Sequence, residues 1–207
     1  CYPNLGVVIV GVGSGLSYAD LGATHHAVED IGVLRSIPNL NIVAPSDPLE
    51  LESLVPQIIK KKQPTYLRIG KKGERNIYKT KPKIKFQKWN KIIKGKKICI
   101  ISSGNIIVNA YDAIKSLNKK KIYPSLVSAH TIKPLDKLML KKIFRKYHFI
   151  VTLEEHSKIG GLSSSISEFY VENNYDNKFL ILSTGEDFIV KSGKQQNALS
   201  MLELSPA

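Results

Sequence analysis

Short apolar runs rich in β-branched residues alternate with helical patterns along most of the chain. The run GVVIVGV at 6–12 has the composition of a strand buried on both faces of a sheet. NIVA at 41–44 and TYLRI at 65–69 follow it as further strands. Helical patterns separate these strands, and this order favours a parallel sheet. The sequence therefore predicts an α/β protein.

Two helices are predicted within this first block. The first follows the turn GSGLSYADLG at 13–22 and ends at Pro38, because proline cannot continue the backbone hydrogen bonding. Its core-facing positions are Val28, Ile31, Val33 or Leu34, and Ile37. The second helix covers roughly 47–61, and Ser46 is its predicted N-cap. Helices on both faces of the three strands would make a three-layer unit.

A second block of the same kind follows a lysine-rich segment. Its predicted strands are 98–103, 124–129, 148–155 and 179–183, with helices after Gly104-Asn105, after 130–136 and over 162–172. We predict a first domain at 1–69, a basic linker at 70–97 and a second, self-contained domain at 98–207. The predicted fold class is two parallel or mostly parallel three-layer α/β units.

The first unit is too small by itself. Three strands and two helices cover both faces of a sheet poorly, since small units bury a small fraction of their surface. The strand at 6–12 also stands at the beginning of the chain, as though other strands should precede it. We expect the remainder of this domain to come from a separate subunit or to have been lost by truncation.

The net charge of +14 raises the question of nucleic-acid binding, and eleven lysines lie in 71–97. Phe86 and Trp89 interleave with these lysines, as in surfaces that bind phosphates and stack on bases. No helix-turn-helix, zinc-finger or single-strand-binding motif accompanies them. A solvated linker is the preferred interpretation, and no nucleic-acid partner is predicted.

Composition also argues against a membrane protein and against a disulfide-rich one. No apolar run approaches the ~20 residues that span a bilayer, and the opening CYPNLGVVIVGVGSG lacks the basic region of a secretory signal. Cys1 and Cys99 provide neither a disulfide framework nor metal-ligand spacing. A reducing, cytoplasmic location is therefore predicted.

Two adjacent histidines, His25 and His26, precede the first helical pattern. Imidazole gives and takes protons near neutral pH, and a helix N-terminus lowers its pKa. Two such rings at a glycine-flanked turn favour a catalytic interpretation. The alternative for His25 is a capping or core hydrogen bond.

Several spaced motifs resemble the transketolase family. The motifs that resemble the second half of its pyrimidine-binding domain are Gly22–His26, Glu29-Asp30, Leu34-Arg35, Ile37–Asn39 and Pro45–Asp47. Those that resemble its C-terminal domain are Ile132–Asp136, Glu154–His156, Gly160–Leu162 and Ser192-Gly193. The layout is most similar to transketolase C-terminal sections, in which the enzyme is split over two polypeptides. The first unit is then an incomplete thiamine-diphosphate pyrimidine-binding domain.

The resemblance implies roles for individual residues. His25 would contact the substrate beside thiamine diphosphate and help move protons, while His26 would support it or lie on the surface. Arg68, near the end of the strand at 65–69, would bind the sugar phosphate through its guanidinium or would pair with a neighbouring carboxylate. Glu29 and Asp30 would act as helix-dipole partners. No metal ligand is predicted within the chain.

The resemblance also implies an enzyme that transfers a two-carbon ketol unit between phosphorylated sugars. Thiamine diphosphate and Mg²⁺ would be held mainly by residues upstream of residue 1 or on an N-terminal transketolase section. The complete enzyme would be a homodimer or heterotetramer, and this chain alone would not catalyse. The segment Glu154–His156 imitates an acid/base cluster, but the family uses this domain for dimer packing.

The chain departs from the family pattern at two substrate-binding positions. Leu21 precedes Gly22 where many transketolases have an acid that binds a substrate hydroxyl, and Gly13 stands near the position of a second substrate histidine. Both departures point to a sugar or donor other than the usual pentose phosphates. The alternatives are a 1-deoxyxylulose-5-phosphate synthase, a 2-oxo-acid dehydrogenase β-type component, or a catalytically silent assembly module.

Overall fold

A computed structural model describes residues 1–190 and 193–206, in which two mostly parallel sheets are flanked by helices. The strands are β1 (Val8–Val12), β2 (Asn41–Val43), β3 (Thr65–Ile69), β4 (Asn90–Ile93), β5 (Ile98–Ser102), β6 (Ser125–Ser128), β7 (Thr131–Lys133), β8 (Phe149–Leu153) and β9 (Lys178–Leu182). The helices are α1 (Asp30–Arg35), α2 (Pro48–Lys61), α3 (Ile107–Lys119), α4 (Lys137–Lys146), α5 (Leu162–Glu172) and α6 (Gln195–Met201). The predicted fold class is confirmed. Ser192, quoted above for the resemblance, lies outside the described residues.

The first sheet has the strand order β1-β3-β2-β7. β1 and β2 both run parallel to β3, with Val8 and Asn41 each opposite Thr65. β7 comes from the second block and pairs antiparallel with β2. The prediction of a self-contained second block is therefore wrong. Pairing with β7 supplies hydrogen-bond partners for backbone groups at the edge of β2. It also buries Ile132 in one hydrophobic cluster with Ile42.

The second sheet has the order β4-β6-β5-β8-β9, and β4 is its antiparallel strand. β4 lies in the basic segment, which is not simply a solvated linker. The Trp89 side chain is 4% exposed, and its Nε1 donates to the Thr131 carbonyl at 2.8 Å. Ile84 and Phe86 pack against the cluster formed by β2, β3 and α2. The division at 1–69, 70–97 and 98–207 stays a prediction.

Two details of the first block differ from the sequence patterns. The N-cap of α2 is Asp47 and not Ser46, because the Asp47 carboxylate accepts a hydrogen bond from the Glu50 amide at 2.8 Å. In α1, Leu34 packs against the core, whereas Val33 is 67% exposed. The remaining strand and helix boundaries of this block lie close to the predicted ones.

Both faces of β1 are open, contrary to the burial predicted for the run at 6–12. Ile9 is 57% exposed on one face, and Val10 and Val12 are 50% and 60% exposed on the other. Among the described residues, β1 pairs on one side only, with β3. An open apolar edge strand invites pairing with another chain. This side of the sheet is therefore where the first unit is incomplete.

Candidate active-site loop

The polypeptide leaves β1 in a loop over residues 13–27. The ends of the loop meet at Gly15 and Ala27, whose reciprocal backbone hydrogen bonds are 3.0 and 2.9 Å long. Gly15 has a φ of +62°, and a Cβ there would lie 2.5 Å from Cγ of Glu155, so this approach requires glycine. A single-turn helix, Ala23–His25, lies near the second end. The loop follows the carboxyl end of a parallel strand, where open α/β sheets bind ligands.

His25 lies at the end of this single-turn helix with an exposed side chain. Its Nδ1 is 3.0 Å from the Thr24 hydroxyl. Since that contact engages Nδ1, Nε2 is the ring nitrogen available to a ligand. Helix α1 begins only at Asp30 and its N-cap is Glu29, so His25 lies ahead of that helix and does not cap it.

His26 differs from His25 although it is the next residue. Its side chain is half-buried, and its Nε2 is a buried atom without a hydrogen-bond partner among the described residues. His25 is therefore the more accessible imidazole of the pair. The proposed supporting role of His26 stays a prediction.

Arg68 lies buried beneath the loop at 3% exposure. Its Nε donates to Asp30 at 2.8 Å, and its Nη2 donates to the carbonyls of Ala27 and Glu155 at 2.6 and 3.0 Å. The hydroxyl of Tyr66 donates to the same Asp30 oxygen at 2.8 Å, and burial together with the Asp30 charge raises the pKa of Tyr66. The ion pair considered for Arg68 is thus present, and Asp30 is more than a helix-dipole partner. Phosphate binding by Arg68 stays a prediction.

A pocket of about 330 Å³ adjoins the carboxyl ends of the first-sheet strands. Its walls are Val12, Pro45–Pro48, Leu51, Ile69–Glu74 and Asn105. Lys71 and Lys72 supply positive charge there, and Nζ of Lys71 lies 5.7 Å from the centre of the Tyr18 ring in loop 13–27. Sequence reasoning passed over Lys71, although its place just beyond strand β3 was a usable signal. Lys71 is the exposed cation that the structure brings to the candidate loop.

The two positions that depart from the family pattern also lie in this loop. Leu21 is 54% exposed, which is unusual for a large apolar side chain. Gly13 has a φ of +88°, and a Cβ at this position would meet the Tyr18 ring. Gly13 therefore allows Tyr18 to pack against the start of the loop.

The side chains of Glu154 and His156 form hydrogen bonds with backbone groups. The Glu154 carboxylate accepts hydrogen bonds from the amides of Leu162 and Ser163 at 2.7 and 2.8 Å, so it caps α5. His156 accepts from the Gly32 amide through Nε2 at 3.1 Å, and its Nδ1 donates to the Ser157 carbonyl at 2.8 Å. Glu154 is therefore occupied in capping within the second unit, and His156 in a contact between the two units.

Within residues 1–190 and 193–206, no three His, Cys, Asp or Glu side chains come together as a group that could hold a metal ion. Cys1 and Cys99 are both free thiols. No helix in the described part of the chain has the length and apolar character needed to cross a membrane.

Comparisons with known proteins place the chain in a family. Residues 2–75 match the family model for "Transketolase, pyrimidine binding domain". Residues 87–207 match the family model for "Transketolase, C-terminal domain". An apulose-4-phosphate transketolase subunit from Phocaeicola vulgatus is 35% identical over 83% of this chain and 55% of its own length. The putative transketolase C-terminal section of Methanocaldococcus jannaschii is 32% identical over 96% of this chain and 62% of its own length.

One further relative and one solved structure extend the match. A 1-deoxy-D-xylulose-5-phosphate synthase from Clostridium botulinum is 36% identical over 82% of this chain and 28% of its own length. A split-gene transketolase, described as an inactive beta4 tetramer, superimposes with a TM-score of 0.86 and 27% identity. That match covers 100% of this chain and 64% of the solved chain. The chain thus spans less than two thirds of the length of each of these relatives, and it belongs to the transketolase family.

Proposed function

We propose that this chain is the C-terminal part of a thiamine-diphosphate-dependent transketolase-like enzyme that transfers a two-carbon ketol unit between sugars. The observation that carries the proposal is the exposed His25 on a loop with tied ends, at the carboxyl edge of an α/β sheet. The names of the relatives support the same reaction class. The catalytic centre would form only when an N-terminal section joins the open side of β1.

His25 is the proposed proton-transfer residue. Its Nε2 would exchange a proton with a substrate hydroxyl, since imidazole titrates near neutral pH. His26 would support the loop from its half-buried position.

Lys71 is the proposed phosphate ligand, alongside the expected Arg68. The Arg68 guanidinium is buried and already bound to Asp30, Ala27 and Glu155. Lys71 lines the pocket and lies against Tyr18 in the candidate loop. An ammonium group attracts a phosphate as a point charge and needs no fixed fork geometry.

Thiamine diphosphate and Mg²⁺ are proposed to be held mainly by the N-terminal section. The described residues of this chain do not fit a metal–diphosphate site by themselves, since they form no metal-ligand cluster. No residue here is assigned to the cofactor. A homodimer or heterotetramer of the complete enzyme, in the cytoplasm and without nucleic acid or membrane, completes the proposal.

A second candidate is 1-deoxy-D-xylulose-5-phosphate synthase. One relative of that name is as similar to this chain as the transketolase subunits are. The same loop, histidine and lysine would serve either reaction. The departures at Leu21 and Gly13 from the transketolase pattern are compatible with the substrates of either enzyme class.

The proposal is tested by assembling the chain with a candidate N-terminal transketolase section. The assembled protein is assayed for ketol transfer and for 1-deoxy-D-xylulose 5-phosphate formation, with and without thiamine diphosphate. We expect cofactor-dependent ketol transfer from the assembly and none from either part alone. Stable assembly with neither activity would instead identify a silent assembly module.

A further inference from the structure

A buried carboxyl group, Glu155, lies beneath loop 13–27 and has no part in the proposed proton transfer or phosphate binding. Glu155 is 2% exposed. Oε1 accepts hydrogen bonds from the Leu16 amide and from Nε2 of Gln195, both at 2.8 Å. Oε2 is buried without a hydrogen-bond partner among the described residues. One carboxylate oxygen therefore joins the loop to helix α6.

The ends of the loop are built around this residue. Gly15 packs directly on the Glu155 side chain, and its backbone is bonded to Ala27. Nη2 of Arg68 reaches the carbonyls of both Ala27 and Glu155. The two ends of the segment that carries His25 are thus fastened to each other and to the C-terminal unit.

Helix α6 supports the loop through apolar contacts as well. Ala198 and Leu199 of α6 belong to the same buried cluster as Leu16 and Ala19 of the loop. Gln195, the first residue of α6, supplies the polar contact to Glu155. The C-terminal helix therefore packs against the loop and also bonds to the residue beneath it.

We propose that Glu155 and Gln195 are positioning residues that hold loop 13–27, and through it His25, in place. The active-site wall of the first unit would then be set by the C-terminal unit. The positioning of the loop depends on the contacts above. Its consequence for turnover rests on the function proposed for His25.

Ionisation of Glu155 gives the arrangement a pH dependence. Burial raises the pKa of Glu155 from 4.5 to about 7, against the lowering effects of Gln195, the Leu16 amide and Arg68, while Glu74 raises it further. Of the charged neighbours, Arg68 is paired with Asp30, and Arg75, which lines the small cavity beside Glu155, is paired with Asp112. Protonation removes the charge from the buried carboxyl group, whereas the ionised form leaves charge on a buried oxygen, Oε2, that has no hydrogen-bond partner among the described residues.

The sign of the pH effect follows from this shift. A carboxyl whose folded pKa is raised contributes stability that is complete below about pH 4.5 and is lost as the pH rises through about 7. Opening of the loop hydrates the carboxylate, so ionisation of Glu155 favours the open state although the ionised oxygen is the better acceptor. The Leu16 amide should therefore exchange its hydrogen faster, relative to intrinsic rates, at pH 8 than at pH 5.5. Glu155→Gln should remove most of this difference, because the amide keeps an acceptor and does not ionise.

The first test measures hydrogen exchange by NMR in the full-length protein that carries these residues, without substrate. Glu155→Ala removes the acceptor, and we expect the Leu16 amide to exchange about tenfold faster or more. Gln195→Ala should accelerate it about threefold, and this milder variant serves if Glu155→Ala does not fold. Glu154→Gln is the matched control, since Glu154 is equally buried but should affect only Leu162 and Ser163.

The second test measures turnover in the assembled enzyme. Glu155→Gln should flatten the pH profile of kcat between pH 6 and 8, and Gln195→Ala should lower kcat with little change in KM. Unchanged Leu16 exchange in both the Glu155 and Gln195 variants would overturn the proposal whatever the turnover. Faster exchange in a protein that has no ketol-transfer activity would support the loop contacts and overturn the proposed function.

Discussion

At the scale of single residues, residues close together in the sequence differ in their solvent accessibility, because the backbone changes direction between them. His25 is exposed, whereas the ring nitrogen Nε2 of His26 is buried and unpartnered among the described residues. Arg68 is buried in an ion pair, whereas Lys71 faces the pocket. Accessibility therefore separates the groups that could meet a substrate from those that hold the loop.

Replacing His25 tests the proton-transfer assignment. His25→Ala should lower kcat of the assembled enzyme by about 10²- to 10⁴-fold, the usual contribution of a general acid–base residue. The melting temperature and the affinity for thiamine diphosphate should stay close to the wild-type values, because the side chain is exposed. His148→Ala, at another exposed histidine, is the control. Unchanged turnover in His25→Ala would reject the assignment.

Replacing Lys71 tests the phosphate assignment. Lys71→Ala should raise KM for a phosphorylated sugar by about 10- to 100-fold, which corresponds to the loss of one charge-assisted contact. KM for the unphosphorylated sugar should not change, and steady-state kinetics with both substrates measures the difference. Lys119→Ala, at an exposed lysine of α3, controls for the loss of one positive charge. Equal effects on both sugars would exclude a phosphate contact.

At the scale of secondary-structure elements, the basic segment combines a charged surface with a buried apolar side. Its lysines alternate with residues that pack inward, strand β4 joins the second sheet, and Trp89 just before it is buried in the core. The Trp89 indole also donates to the Thr131 carbonyl, so the ring is fixed in the core. Trp89 is therefore structural, and the half-buried Phe86 packs against the cluster of the first unit, which leaves little aromatic surface beside the exposed lysines.

This arrangement predicts that the basic segment is not a nucleic-acid site. Single-stranded DNA and RNA should bind more weakly than about 1 μM at physiological salt, because Trp89 is buried and Phe86 is half-buried, so neither presents a free ring face for stacking on bases. Fluorescence anisotropy over a range of salt concentrations measures this. Sub-micromolar binding with a steep salt dependence would reverse the conclusion. Trp89→Ala should instead destabilise the fold by about 3–5 kcal/mol, as expected for a buried aromatic residue.

At the scale of the whole molecule, the two units share a hydrophobic core, and the β1 edge of the first sheet is open. The largest buried cluster contains residues of both sheets, and β7 completes the first sheet from within the second block. The exposed apolar row on β1 lies on the opposite edge of the first sheet. The open edge is therefore the proposed attachment side for an N-terminal section.

Charged substitutions on β1 test this attachment. Ile9→Lys should leave the chain folded, because the position is 57% exposed, but should abolish co-purification with the N-terminal section. The physical reason is the cost of burying an unpaired charge at the joint. Leu138→Lys, at a 64% exposed position of α4, is the matched control. Normal assembly of the Ile9→Lys protein, judged by size-exclusion chromatography, would locate the joint elsewhere.

The sequence by itself determined the order of strands and helices, and it predicted an incomplete first unit and a catalytic His25. These depend on apolar periodicity, on prolines and on short motifs, which are local properties of the chain. Only the tertiary structure decided that Arg68 is paired, that Trp89 is buried, that β7 pairs with β2 and that Glu155 lies under the loop. Each of these depends on contacts between residues distant in the chain, and periodicity does not specify which buried polar groups will meet.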